Sequence, residues 1–201
     1  MRDRLAIRPD YIYFEPLKLD HVLKMMNWGR HQSQLFQDYN FNFSNQSQCS
    51  LFYLEKTLPP LNSYFAIIYA EEVIGFLGNK NINWLTRSST LGLVLNPSLV
   101  GLGFGSVVLP KFLDYYFNEK SMKKMKLLVA AYNDRALKLY KKVGFKKVSQ
   151  HLEPYPNLTI DPDSQEYLDH QDAFVKKGSV LYNYVYKMEL RKEDFNFEIY
   201  S

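Results

Sequence analysis

Cysteine is nearly missing: of 201 residues only Cys49 is one. A lone thiol cannot close an internal disulfide, which excludes a disulfide scaffold and points to a reducing compartment. Cys49 stands in Gln48-Cys49-Ser50-Leu51-Phe52 with no histidine close in sequence, so it reads as the buried side of a helix, not as a nucleophile. No apolar run approaches membrane-spanning length. Nor does Met1-Arg2-Asp3-Arg4-Leu5 have an apolar stretch behind it to act as a signal peptide. A soluble, cytoplasmic protein without a membrane partner is the expectation. His151 and His170 stand apart from cysteine or paired carboxylates at ligand spacing, so no metal is assigned. There is no internal repeat.

Aromatics, by contrast, are plentiful, with 16 Tyr and 14 Phe. Buried rings contribute much contact area each, so most belong in a core. With 46% hydrophobic and 23% charged residues, the chain has the composition of an ordinary globular protein, long enough for one domain over residues 1–201. The net charge of +4 is modest but unevenly spread. Between Lys120 and Lys147 there are ten bases, opposed only by Asp134; then Glu153, Asp161, Asp163, Glu166, Asp169 and Asp172 reverse the sign. A basic block can bind nucleic acid. These lysines are not interleaved with stacking aromatics, so no nucleic-acid partner is expected, and a solvated helix face or an anchor for a phosphorylated cofactor remain.

Strand and helix patterns alternate along the chain. A first strand is expected over residues 10–16, a helix from Asp20 toward Trp28-Gly29, and a second helix from Ser44 to Leu58, stopped by Pro59-Pro60. Tyr64–Tyr69 and Val73–Leu77 read as a hairpin, and Thr90–Leu95 as a fourth strand closed by Asn96-Pro97. Val100-Gly101-Leu102-Gly103-Phe104-Gly105-Ser106 then leads into an apolar helix. Glycines let backbone N–H groups converge on an anion, and a helix N-terminus adds partial positive charge. The loop lacks the Gly-Lys-Ser/Thr of a P-loop and the spacing of the dinucleotide fingerprint. Alone, it reads equally as a tight strand-to-helix turn.

A fifth strand, Met125–Ala131, precedes Asn133-Asp134-Arg135-Ala136-Leu137-Lys138-Leu139-Tyr140, and the run closes with Gly144-Phe145. Asn133 caps a helix that Gly144 ends, and Ala136 and Tyr140 share the face of the cap. A strand ending in Asn-Pro, a glycine-alternating loop, and Asn-x-x-Ala-x-x-x-Tyr-x-x-x-Gly-Phe in that order resemble the GNAT N-acetyltransferases, over roughly residues 10–150 and 180–190.

The resemblance implies an α/β fold: a mixed, mostly antiparallel seven-stranded sheet, splayed between strands 4 and 5 and flanked by helices, with acetyl-CoA in the cleft as co-substrate. It places the backbone of Leu93, Val94 and Leu95 along the pantetheine arm. The N–H groups of Val100, Gly101, Leu102, Gly103, Phe104, Gly105 and Ser106 would hold the pyrophosphate. Asn133 would bond to the pantetheine arm or a bridging water, and Tyr140 would protonate the departing thiolate. The implied activity is acetyl transfer to a primary amine of a small molecule or peptide by direct attack in a ternary complex. The alternative is a non-catalytic acyl-CoA-binding or regulatory module. A homodimer is left open, and Trp28 after the first helix is similar to the branch that acetylates protein N-termini or polyamines.

Three positions depart from the pattern. Val100 stands where many members have Arg or Gln, Pro110 falls near the start of the helix after the loop, and Ser88, Ser89 and Thr90 offer no base where many members carry Glu. An inserted loop at about 151–178 has weak periodicity and many turn residues. It reads either as a wall of the acceptor site or as an acidic solvated loop. In the first case its acids would attract a cationic amine.

Overall fold

The structure is a computed structural model that describes residues 7–156 and 160–197. In chain order, strand β1 (Ile12–Pro16) is followed by helices α1 (Leu19–Lys24) and α2 (Gln46–Thr57), with a 3-10 turn at Gln34–Tyr39 between them. Then come β2 (Ser63–Tyr69), β3 (Glu72–Asn83), β4 (Ser88–Leu95), α3 (Phe104–Asp114), β5 (Lys124–Ala130), α4 (Asp134–Val143) and β6 (Lys146–Pro154). The chain closes with α5 (Gln165–Leu168), β7 (Phe174–Lys177) and β8 (Val180–Arg191).

All eight strands join one sheet in the order β1-β2-β3-β4-β5-β8-β6, with β7 pairing β8. Every pairing is antiparallel except β4 with β5. The expected count of seven strands is therefore short by one. Tyr182 and Asn183 pair with β6 on one edge of β8, so β7 must use the other edge, which β5 occupies from Val185 onward. The missed strand is Phe-Val-Lys-Lys, too short to show an alternation.

Strand alternation sorts the apolar residues into two layers. On β2, Tyr64, Ala66 and Ile68 face α1 and α2 and join Val22, Met25 and Cys49, whereas Ile67 faces α3 and joins Val108, Leu109, Phe112 and Leu113. Cys49 is fully buried, and burial pushes its thiol above the ordinary range, so it packs as a small apolar group. Pro110 does not end α3. The helix continues to Asp114 and widens into a π turn at Tyr115–Glu119, one way a helix absorbs a lost backbone bond. Among the described residues no helix is long and apolar enough to cross a membrane.

The segment after β6 is packed against the protein. Tyr155, Ala173 and Phe174 form a third apolar cluster with Leu35, Ala130 and Tyr132, and the Phe174 ring stacks on Tyr132 at 5.4 Å. Polar contacts reinforce this. The Glu166 carboxylate accepts the Gln34 N–H at 2.9 Å, and the Tyr155 hydroxyl donates to the Gln34 carbonyl at 3.3 Å. The insertion thus supports the Gln34–Tyr39 turn from outside.

Candidate active site

The site begins where two strands part. β4 and β5 pair in parallel from Ser88↔Lys124 to Leu91↔Leu127 and no further. Beyond Leu91, the edge of β4 opposite β3 has no strand beside it among the described residues, so Gly92, Leu93, Val94 and Leu95 line an open V. The cavity in this V measures about 560 Å3, and Leu128, 51% exposed, stands on its far lip.

The glycine loop closes one end. Gly103 is the N-cap of α3 at φ 103°, and Gly101 lies at φ 87°, a region that L side chains rarely adopt. Gly105 allows close packing, since a Cβ there would meet Leu139 Cδ2 at 3.0 Å. Within the loop, the Val100 N–H bonds the Pro97 carbonyl, the Leu102 N–H that of Leu99, and the Ser106 N–H that of Gly103. Among the described residues, the N–H groups of Gly101, Gly103, Phe104 and Gly105 have no such partner. Four free donors in the loop and first turn of an eleven-residue helix can accept an anion. Lys138 and Lys142 on α4 also line the cavity and add positive charge. Leu102 is 36% exposed and lies outside the lining.

Helix α4 forms the opposite wall. The Asn133 carbonyl oxygen of the side chain accepts the Ala136 N–H at 3.1 Å, and Gly144 ends the helix at φ 106°. These two stops set the rotation that turns Asn133, Ala136 and Tyr140 into the cleft. The Tyr140 ring is held edge-on by Phe145 at 5.7 Å. Its hydroxyl has no hydrogen-bond partner among the described residues. Burial, with a smaller contribution from Tyr39, pushes this phenol up to about 12.

The other end of the cleft is built by residues that no motif marks. His31, Phe36 and Tyr39 come from the connection between α1 and α2, and Arg135 from the first turn of α4. Arg135 stacks over Phe36 at 5.6 Å. Lys80 lines the cavity too, and among the described residues no carboxylate does. Ser88 and Ser89 are 1% exposed and hydrogen-bonded to Thr86 and to Tyr116, so only Thr90 of that trio reaches the cleft. None of Glu153, Asp161, Asp163, Glu166, Asp169 and Asp172 lines it either. Among the described residues no three His, Cys, Asp or Glu side chains gather as a metal site.

A splayed parallel pair with an anion cradle at one end and a free phenol on the facing helix defines a class. The chain belongs to the Acetyltransferase (GNAT) family, whose model matches residues 31–145. A curated relative is the Spermidine N(1)-acetyltransferase of Vibrio cholerae, 29% identical over 85 residues. That match takes in 42% of this chain and 49% of the relative, so the chain spans about half the length of the curated relative it matches. Among solved structures, spermidine N-acetyltransferase from Vibrio cholerae in complex with CoA and spermine superposes with a TM-score of 0.67 at 18% identity, covering 92% of this chain and 98% of the other. A dodecameric form of the V. cholerae enzyme gives 0.63 at 19% identity, covering 92% and 95%. At these identities the likeness establishes the fold.

Proposed function

We propose that the protein transfers the acetyl group of acetyl-CoA to a primary amine by direct attack in a ternary complex. The observation that carries this reading is the cleft: a β4 edge without a strand partner, four free N–H groups and the Tyr140 hydroxyl all line one cavity. These residues fit acetyl-CoA. Its pyrophosphate suits the cradle and the lysines of α4, and its amide-bearing arm suits the edge of β4 at Leu93, Val94 and Leu95 that faces away from β3. Bound there, acetyl-CoA supplies an acetyl thioester, a carbonyl already activated toward amines.

The chain's own groups orient and move protons. Asn133 is committed to its cap, and a second lone pair of its oxygen remains for the arm or a bridging water. Tyr140, held at about 12, is fully protonated at neutral pH, so it always presents a donor to the leaving sulfur. Full transfer to a thiolate of ordinary pKa near 8.5 would be uphill by roughly 5 kcal/mol in the empty site. The phenol therefore stabilises the developing charge by hydrogen bonding, with proton transfer completed as the amine nitrogen gives up its own proton.

Polyamines head the candidate acceptors because the relatives are named for spermidine and one holds spermine. The dodecameric neighbour makes self-association the assembly to look for by light scattering. The activity is tested by thiol release from acetyl-CoA with spermidine, spermine, amino sugars, aromatic amines and peptide N-termini. Release with at least one amine supports the reading. Binding of acetyl-CoA with no release for any of them would make the chain a non-catalytic acyl-CoA-binding module.

A further inference from the structure

We infer that His31, on the connection between α1 and α2, is the general base that removes the proton from the acceptor ammonium, an inference that rests on the acetyltransferase reading. The four histidines of the chain divide sharply. His21 Nδ1 accepts the Lys18 N–H at 3.2 Å and its Nε2 lies 3.5 Å from Glu15. His151 Nε2 is 2.7 Å from Glu153, and His170 bridges the Glu166 carbonyl at 2.9 Å and Asp134 at 3.6 Å. His31 alone lines the cleft, and among the described residues neither of its ring nitrogens has a hydrogen-bond partner. Its backbone is fixed separately: the His31 N–H donates to Asn40 Oδ1 at 2.6 Å, and Asn40 Nδ2 donates to the His31 carbonyl at 3.3 Å. A ring with free nitrogens on a clamped backbone is suited to accept a proton repeatedly without disturbing the loop.

The other lining groups leave the role to it. Among the described residues no carboxylate lines the cavity, and the phenols of Tyr39 and Tyr140 are both pushed up, Tyr140 to about 12. The groups facing His31 are Tyr39 and Phe36 from the Gln34–Tyr39 turn and Arg135 from α4, with Tyr132 behind Phe36. Burial, then the Arg135 charge, push the imidazole below its ordinary value, so it is unprotonated at neutral pH and ready to accept. The same Arg135 charge disfavours the ammonium beside it and so aids its deprotonation. In the step, an N–H bond of the ammonium breaks, its electron pair stays on nitrogen as the nucleophilic lone pair, and the proton passes to the imidazole and then to solvent.

The sign follows: protonation of His31 abolishes the base, so kcat falls as pH drops through a midpoint below the ordinary imidazole value. The test combines His31→Gln with two acceptors, one alkylamine of high pKa and one weakly basic amine already neutral at pH 7. Wild type and variant are first matched in melting temperature and acetyl-CoA affinity, and the His31 ring is titrated by NMR in wild type and in Arg135→Gln. The expected result is a roughly hundredfold loss in kcat for the alkylamine, a loss of only a few-fold for the weakly basic amine, and a ring midpoint that rises in Arg135→Gln. Equal losses for the two amines, or a kcat within a few-fold of wild type for both, would overturn the role of His31 while leaving the acetyltransferase reading in place. Absence of thiol release in wild type with every amine would overturn that reading and this inference with it.

Discussion

Tyr116 sits where the cleft closes, and removing its hydroxyl isolates what holds that end together. Its Oη accepts from Ser89 Oγ on β4 at 2.9 Å and donates to the Lys124 carbonyl on β5 at 2.8 Å, next to the register pair Ser89↔Met125. The ring is 1% exposed. In Tyr116→Phe the serine keeps a second acceptor, Asn79 Oδ1 at 3.2 Å, but the Lys124 carbonyl loses this donor. A lost hydrogen bond with a buried acceptor left behind costs about 1–3 kcal/mol. At about 2–4 °C per kcal/mol for a chain of this size, the middle of that range lowers Tm by roughly 4–8 °C. The assay is urea unfolding followed by fluorescence, with an unchanged m-value required before the midpoint is read as stability. Tyr115→Phe serves as control, since its ring packs on Phe65 and Phe112 and no hydroxyl partner occurs among the described residues. It should stay within about 0.5 kcal/mol of wild type. If Tyr116→Phe matches the control, the hydroxyl does not pin the strands and the reasoning fails.

Tyr140→Phe should lower kcat roughly a hundredfold with acetyl-CoA affinity unchanged, measured by thiol release and calorimetry; turnover within a few-fold would show that the phenol only packs. Stability should decline in alkali. Burial pushes Tyr64, Tyr116 and Tyr140 up to about 12 from 10.0 and raises Tyr132 as well, so above pH 10 the unfolded chain loses protons that the native state keeps. With four such phenols, unfolding free energy should drop by roughly 3 kcal/mol between pH 8 and pH 10.5, and a flat profile by urea titration would contradict the burial. Asp163→Asn, Asp169→Asn and Asp172→Asn, all off the cleft lining, should leave the acceptor KM within about twofold even at low salt, where surface charge acts furthest. Glu166→Gln weakens the bond that holds the start of the Gln34–Tyr39 turn and should raise that KM several-fold; equal behaviour of all four variants would mean the segment acts through its field and not through support.

What was legible in the sequence is what the backbone itself demands. Asn133 and Gly144 mark the two ends of α4 because a cap needs a short polar acceptor and a left-handed stop needs glycine. Gly101 and Gly103 announce a loop with positive φ in the same way. Those constraints are local, so spacing along the chain carries them. How many N–H groups stay free is not local. The turn at Pro97–Leu99 and the 3-10 bond to Gly103 consume three donors that the loop pattern alone would have left available. The acceptor end was illegible for a related reason. His31, Phe36 and Tyr39 occupy an irregular connection without periodicity, and only packing against Arg135 and the 160–173 segment brings them to the cleft. The acids of that segment invite a reading from charge alone, yet the segment is held by Tyr155, Ala173 and Phe174, and none of its described carboxylates lines the cavity.

The central claim is that the V between β4 and β5 holds acetyl-CoA, and thermal unfolding of ligand-free protein with and without it tests that claim most directly. A ligand at a hundred times its Kd stabilises the folded state by about 2.7 kcal/mol. For a chain of this size that corresponds to a Tm raised by roughly 5–11 °C, and the rise continues with the logarithm of concentration. No shift at millimolar acetyl-CoA, in protein shown to be folded, would contradict the assignment of the cleft.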